Sequence, residues 1–232
     1  MNSLVTEMPL RTSALRSLGA FINVFAAESF MDELASAAGR DPVEFRLAHL
    51  SDPRGRVVLQ TAASGAGWTQ WTPRDAVGSV GSVGRGIGYA RYKNSAAYCA
   101  VVAEVEAIDE VRVRRLVIVV DAGLLINPDG AANQIEGGAV QATSWTLKER
   151  VHFDRLNVTS DSYDTYPILR FSEVPAIDVE FVAGQGNPPL GIGECAQGPT
   201  AAAIANAVYH ALGIRVRSLP LTADQLIAAM PD

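Results

Sequence analysis

The segment Gly191-Ile192-Gly193-Glu194-Cys195-Ala196-Gln197-Gly198-Pro199-Thr200 places a single carboxylate among glycines, directly ahead of a helix-opening proline. Glycine lets backbone approach a ligand closely, and a helix opening at Pro199 presents unpaired N–H groups and the positive end of its dipole to an anion. A carboxylate enclosed in such a pocket loses hydration, so the pKa of Glu194 is expected to rise toward neutrality, where a general base takes a proton at working pH. The plain alternative is a solvent-facing loop residue.

Two further clusters have chemical potential. In Gln134-Ile135-Glu136-Gly137-Gly138-Ala139-Val140-Gln141 two glycines fall inside a helical pattern. Each costs about 1 kcal/mol relative to alanine. Gly137 and Gly138 are therefore expected where something packs closely, either another helix or a large cofactor. In Ser13-Ala14-Leu15-Arg16-Ser17-Leu18-Gly19 an arginine sits on a glycine-ended loop, where its planar donor fork can meet an anionic or carbonyl group of a ligand, or simply a surface ion-pair partner. Cys99 reads as a buried strand residue and Cys195 as a small loop filler or a neighbour of the site.

Other chemistries fit poorly. Gly198-Pro199-Thr200 lacks the lysine of a GxxxxGK[ST] phosphate loop, and Gly84-Arg85-Gly86-Ile87-Gly88 leads into a strand rather than a helix. A phosphate-binding module ranks last among the readings. Two distant cysteines cannot assemble four thiolate ligands, so an iron–sulfur or structural zinc centre must reside on another polypeptide. His49, His152 and His210 are scattered and match no metal-ligand spacing, so no side-chain metal site is expected. The net charge is −6 with no basic block, which argues against nucleic-acid binding. No run of 18 apolar residues suits a membrane span, and the first eight residues lack an export-signal pattern, which leaves the compartment open.

The elements that would position these residues are legible in part. Phe21, Val24, Phe25, Phe30, Met31 and Leu34 recur at helical offsets and Gly39 closes the run. Asp41-Pro42 followed by Glu44 starts a second helix, which breaks at Ser51 to Gly55. Gln60 to Gly84, rich in Gly, Ser and Thr, reads as a connection between two units. Strands are expected over 86–92, 98–108 and 111–121, the last two forming an antiparallel hairpin with one face buried. Asn127-Pro128 opens a helix to about Glu149, 163–171 is a polar-aromatic loop, 177–182 a short strand and 200–212 an alanine-rich helix built for close packing. The mixture lacks strict βαβ alternation, so the fold class is α+β, a mixed sheet with packed helices.

Taken together, Leu15-Arg16-Ser17-Leu18-Gly19 with Ala27-Glu28-Ser29-Phe30-Met31-Asp32-Glu33-Leu34-Ala35, then Asp121-Ala122-Gly123 with Asn127-Pro128, then Gln134-Ile135-Glu136-Gly137-Gly138, and finally Gly191-Ile192-Gly193-Glu194 resemble, in order, the carboxyl-terminal portion of the molybdopterin-binding subunit of the xanthine dehydrogenase and aldehyde oxidoreductase family. The nicotinate and isoquinoline dehydrogenase branch is the most similar. The resemblance implies hydroxylation of an N-heteroaromatic compound or aldehyde by water-derived oxygen, with Glu194 as catalytic base. It implies Arg16 and Leu18 in the substrate pocket. Gln134, Gly137, Gly138, Gly191 and Gly193 would line a molybdenum–molybdopterin cofactor, of the cytosine dinucleotide form.

The same resemblance implies residues 1–75 as the end of a first cofactor domain with its connection, and 76–232 as a second cofactor-binding domain. It implies a companion chain supplying the amino-terminal half, an iron–sulfur subunit and a flavin or cytochrome subunit, with no iron–sulfur cluster or flavin on this chain. The competing reading is a non-catalytic fragment that folds only on a partner and binds no cofactor.

Overall fold

The structure is a computed structural model in which residues 10, 14–69, 82–108, 110–184 and 186–230 are described. Three helices come first: α1 (Ala20–Ala37), α2 (Pro42–His49) and α3 (Pro53–Gly65). Strands β1 (Ser82–Arg91), β2 (Tyr98–Ala107) and β3 (Val111–Asp121) follow, then α4 (Pro128–Leu147), β4 (Ala176–Phe181), α5 (Gln197–Leu212) and α6 (Ala223–Ala228). The sheet order is β1-β2-β3-β4, antiparallel up to β3 and parallel between β3 and β4, so α4 is the crossover of one βαβ unit. The α+β expectation of a mixed sheet with packed helices holds. The boundary at 75/76 falls on residues outside those described.

The sheet is covered on both sides, which corrects the expectation of a hairpin with one buried face. Strand side chains alternate between faces. Cys99, Val101, Ala103 and Val105 of β2 enter a core with α4 and α5, while Tyr98, Ala100 and Val102 pack with Val58, Leu59, Ala62 and Ala63 of α3. That second layer needs α3, and α3 is the main element absent from the sequence reading. Its start carries the same signal as α2: Asp52 accepts from Arg54 N (3.0 Å) and Pro53 takes the first helical position. Gly55, Ser64 and Gly65 disguised it as a loop. The short helix α6, capped by Thr222, was also unforeseen.

Glycines bring α5 onto β1. A Cβ on Gly86 would fall on Ala207 N and Ala203 O and lie 2.6 Å from Asn206 C, and added Cβ atoms on Gly84 and Gly88 would likewise meet α5 main chain. At the other side of α5, a Cβ on Gly198 would come within 2.6 Å of Val24 Cβ on α1. The alanine-rich α5 thus meets glycines of β1 on one side and sets its own Gly198 against α1 on the other.

Helix α1 is fixed through buried charge. Glu28 Oε2 accepts from Arg46 Nε (2.8 Å) and from Tyr89 N (2.9 Å), and Asp32 pairs with Arg215 (2.6 Å). These bonds tie α1 to α2, β1 and the segment after α5. The loop preceding α1 is thereby held over the start of α5. At the far end of β3, Asp121 accepts from Arg54 Nε (2.7 Å) and Nη2 (2.6 Å) and from Gly123 N (2.9 Å), joining α3 to the turn that leads to α4.

Candidate active site

Three backbone features converge on Glu194. The loop before α1 reaches it through Ser17 and Leu18, whose φ values of +74° and +50° are left-handed although neither residue is glycine. Such conformations cost of order 1–3 kcal/mol each and persist only where the surroundings dictate them. This reversal turns the Ser17 N–H toward the carboxylate, and Glu194 Oε1 accepts it at 2.9 Å. On the other side, the turn after β1 holds a second left-handed pair, Lys93 (+50°) and Asn94 (+56°), next to buried Tyr92. The Tyr92 hydroxyl donates to Glu194 Oε2 at 2.5 Å. Ala97 N donates to Gly191 O (3.2 Å), which fastens the same turn to the glycine loop.

Arg16 joins the other clusters. Its Nε donates to Gly193 O (2.7 Å) and its Nη2 to both Gln134 O (2.9 Å) and Gln134 Oε1 (3.0 Å). The fully buried Gln197 amide completes the junction: its oxygen accepts from Arg16 Nε (2.6 Å) and its nitrogen donates to the Glu194 main-chain oxygen (3.0 Å). Gly138 leaves room for this arrangement, since a Cβ there would lie 3.3 Å from the Gln197 side-chain amide and 3.4 Å from Arg16 Nη2. Gly137 is exposed, with Arg16 Nη1 3.9 Å from where its Cβ would stand.

All eight residues expected at the site from sequence therefore have a clear location. Arg16 bonds Gln134 and Gly193 directly, Gly138 lies against Arg16 and Gln197, and Glu194 joins them through adjoining Gly193, through Ser17 and through Gln197. Gly137 borders them, Gly191 anchors the loop through its carbonyl, and Leu18 is exposed beside Ser17 on the same reversal. Three residues of the junction were not foreseen: Tyr92, the Ser17 N–H and Gln197. Ser17 stands 177 positions from Glu194 and Tyr92 stands 102 away, so no local pattern connects them. Cys195 is buried against Cys99, and the Cys99 thiol is pushed up by that contact and by burial.

The electrostatics correct one expectation. The Glu194 carboxyl is held below the usual carboxylate range rather than raised toward neutrality. The Tyr92 hydrogen bond is the largest cause and the Ser17 N–H the next, with weaker attraction from Lys93 and Arg16. Glu194 is only half-buried, and desolvation is too small to outweigh two donors aimed at its charged form. Tyr92 responds in the opposite sense: burial and the adjacent carboxylate push its phenol up to about 12.

The surroundings have the makings of a cradle for a large polar group. A Cβ on Gly191 or Gly193 would meet nothing within 4 Å, so this edge of the loop is open. Six buried side-chain polar atoms lack a hydrogen-bond partner among the described residues, and three of them, Ser17 Oγ, Gln141 Oε1 and Thr200 Oγ1, belong to the loop before α1, to α4 and to the start of α5. Gln134, Gly138 and Gln141 share one face of α4 by helical periodicity. Buried polar atoms left unpaired are costly, so those on the three segments that also carry Arg16, Gln134 and Gln197 are free to meet a ligand rich in donors and acceptors. Among the described residues, no group of three or more His, Cys, Asp or Glu side chains is placed to hold a metal ion directly. No described helix is long and apolar enough to cross a membrane.

Comparison with known proteins places the chain in a family. Residues 19–175 match the molybdopterin cofactor-binding domain, a segment that contains the Gln134 cluster and stops short of Glu194. A nicotinate dehydrogenase subunit of Pseudomonas putida is 48% identical over 95% of this chain and 20% of its own length. The beta subunit of isoquinoline 1-oxidoreductase of Brevundimonas diminuta is 35% identical over 89% of this chain and 26% of its own length. The chain thus spans about a quarter or less of these two relatives. Among solved structures, quinoline 2-oxidoreductase of Pseudomonas putida superposes with a TM-score of 0.53 at 28% identity over 57% of this chain and 18% of that one. Aldehyde oxidoreductase of Desulfovibrio gigas shares the fold over 93% of this chain and 41% of that one, with a TM-score of 0.74 at 16% identity. The arginine loop, the paired-glycine helix and the glycine-flanked glutamate thus sit on a scaffold with known kin, and the chain belongs to the molybdopterin cofactor-binding domains of the xanthine dehydrogenase family.

Proposed function

We propose that this chain forms part of a molybdenum hydroxylase that oxidises an N-heteroaromatic compound or an aldehyde with water-derived oxygen, and that Glu194 is its general base. The observation that carries the reading is the convergence of Glu194, Arg16 and Gln134 beside an open glycine edge and unpaired buried polar atoms. The names of its relatives, which refer to nicotinate, isoquinoline and aldehydes, support the substrate class.

A molybdenum–molybdopterin cofactor, in its cytosine dinucleotide form, would supply the two-electron acceptor when bound. Gln134, Gly137 and Gly138 on α4, with Gly191 and Gly193 on the loop, would hold it from this chain's side. Each Glu194 oxygen has a second lone pair beyond the one taken by Tyr92 or Ser17, and such a site accepts the proton released as oxygen joins the substrate carbon. Arg16 commits Nε and Nη2 to the loop and to α4, which leaves Nη1 to meet substrate. Leu18, half exposed, gives the pocket an apolar wall. Electrons would leave through an iron–sulfur subunit and a flavin or cytochrome subunit, and a companion chain would supply the remaining wall of the cofactor site.

Glu194→Gln in the assembled, molybdenum-loaded complex is expected to reduce kcat by about a hundredfold to ten-thousandfold with the metal content unchanged. Near-normal turnover would remove Glu194 from the base role. A co-purified complex without stoichiometric molybdenum would favour the non-catalytic fragment instead.

A further inference from the structure

Glu194 is held from two directions by groups that no sequence pattern connects to it, and the two holders differ in kind. The Ser17 N–H is main chain, fixed by the left-handed reversal before α1. The Tyr92 hydroxyl is a side chain whose ring is buried, at 8% exposure, and capped by Lys93 Nζ 5.2 Å from its centroid. The turn around it is closed by Tyr92 N donating to Ala97 O (3.0 Å), and by Ser95 N (3.2 Å) and Ala96 N (2.9 Å) donating to Tyr92 O. The next residue along, Ala97, donates in turn to Gly191 O on the glutamate loop. The phenol therefore has little freedom to choose another acceptor.

We propose that Tyr92 is the positioning residue of the base: its hydroxyl takes one carboxylate oxygen of Glu194 while the Ser17 N–H takes the other, so that the carboxylate plane is fixed and proton acceptance is confined to the outward lone pairs. This proposal rests on Glu194 acting as the base. A carboxylate gripped at one oxygen can rotate about its last side-chain bond, whereas one gripped at both cannot do so without losing a hydrogen bond.

The arrangement has an opposing cost that makes it measurable. A donor that favours the ionised carboxylate also makes it a weaker base, so the hydroxyl improves orientation and lowers basicity together. The charged and titratable groups facing the carboxylate are Tyr92 and Lys93 from the turn after β1 and Arg16 from the loop before α1, with the Ser17 N–H as the neutral donor. The two cations remain when the hydroxyl is deleted, so Tyr92→Phe isolates its effect.

The test uses the complete molybdenum-loaded complex and two readouts. In the first, the acidic limb of the kcat/KM profile of Tyr92→Phe is expected to move up by about one pH unit, with plateau kcat lowered about tenfold. The second is independent of turnover: a fluorotyrosine placed at position 92 is followed by fluorine NMR across pH. Its ionisation should fall by about one pH unit when Glu194 is changed to glutamine, because the neighbouring negative charge is gone. An unmoved acidic limb in Tyr92→Phe, or a position-92 phenol whose titration is the same before and after Glu194→Gln, overturns the proposal. If instead Glu194→Gln keeps its rate while the fluorine signal still reports the pair, the base assignment fails and the positioning role fails with it, although the hydrogen bond stands.

Discussion

At the scale of single residues, Arg16 has a harder task than lining a pocket. Its fork connects the glutamate loop to α4 through Gly193 and Gln134, and Gln197 receives part of the same fork from below. A lysine offers a point charge in place of a planar fork and cannot span those acceptors. Arg16→Lys is therefore expected to lower kcat about tenfold to a hundredfold, because a small misplacement of reacting groups is expensive. Stopped-flow turnover together with the molybdenum content separates this from cofactor loss.

Asp121 is a second case where geometry assigns a role that spacing did not. The motif Asp121-Ala122-Gly123 carried the family resemblance without a physical reason attached, and the structure supplies one. The carboxylate is nearly buried and bound by both edges of the Arg54 fork as well as by Gly123 N. Asp121→Asn should cost about 3–5 kcal/mol, since it strands the guanidinium against the sheet. Urea unfolding measures that loss, and a change below about 1 kcal/mol would mean that water takes over the pairing.

At the scale of elements, the glycines of β1 and of the site do opposite things. Gly86→Ala would drive its methyl into the α5 main chain, where no side chain can rotate away, and is expected to destabilise by about 3 kcal/mol or more. Gly191→Ala meets open space and should leave the melting temperature within about a degree or two of wild type. Thermal unfolding of the pair distinguishes a glycine needed for packing from one left free for a ligand.

The same contrast explains what could be read before the fold was known. Helices α2 and α4 were legible from a capping residue followed by proline, α1 from its apolar spacing closed by Gly39, and α5 from Pro199 and its run of alanines. Helix α3 was not, although Asp52-Pro53 repeats the opening of α2, because glycine and serine inside it outweighed Val58, Leu59, Ala62 and Ala63 in a local reading. The candidate site was legible as separate clusters, and its union was not, since the bonds between them span the length of the chain. The direction of the Glu194 shift was misjudged for the same reason: desolvation is guessed from local composition, whereas donors arrive from remote segments.

At the scale of the whole molecule, acid should act through the carboxylates held below their ordinary values. Asp121 is lowered by its bond to Arg54, Asp52 by its bond to Tyr98, and Glu194 by its bond to Tyr92, in each case against an opposing desolvation effect. A depressed carboxyl contributes stability that is present above its unfolded pKa and is lost as pH falls through its folded one. The urea midpoint should therefore stay level from neutrality to about pH 4 and fall below it. A midpoint that already declines between pH 7 and 5 would show that these carboxylates are not the dominant groups.

Helix α5 rests on β1 main chain against main chain, and it begins three residues after Glu194. Contacts between backbones have no rotamers to exchange, so drift in the surrounding hydrophobic interior transmits little of itself to the Glu194 carboxylate. On the proposed function, variation at exposed Leu18 would then alter which ring or carbonyl is admitted while the Glu194 oxygens keep their station.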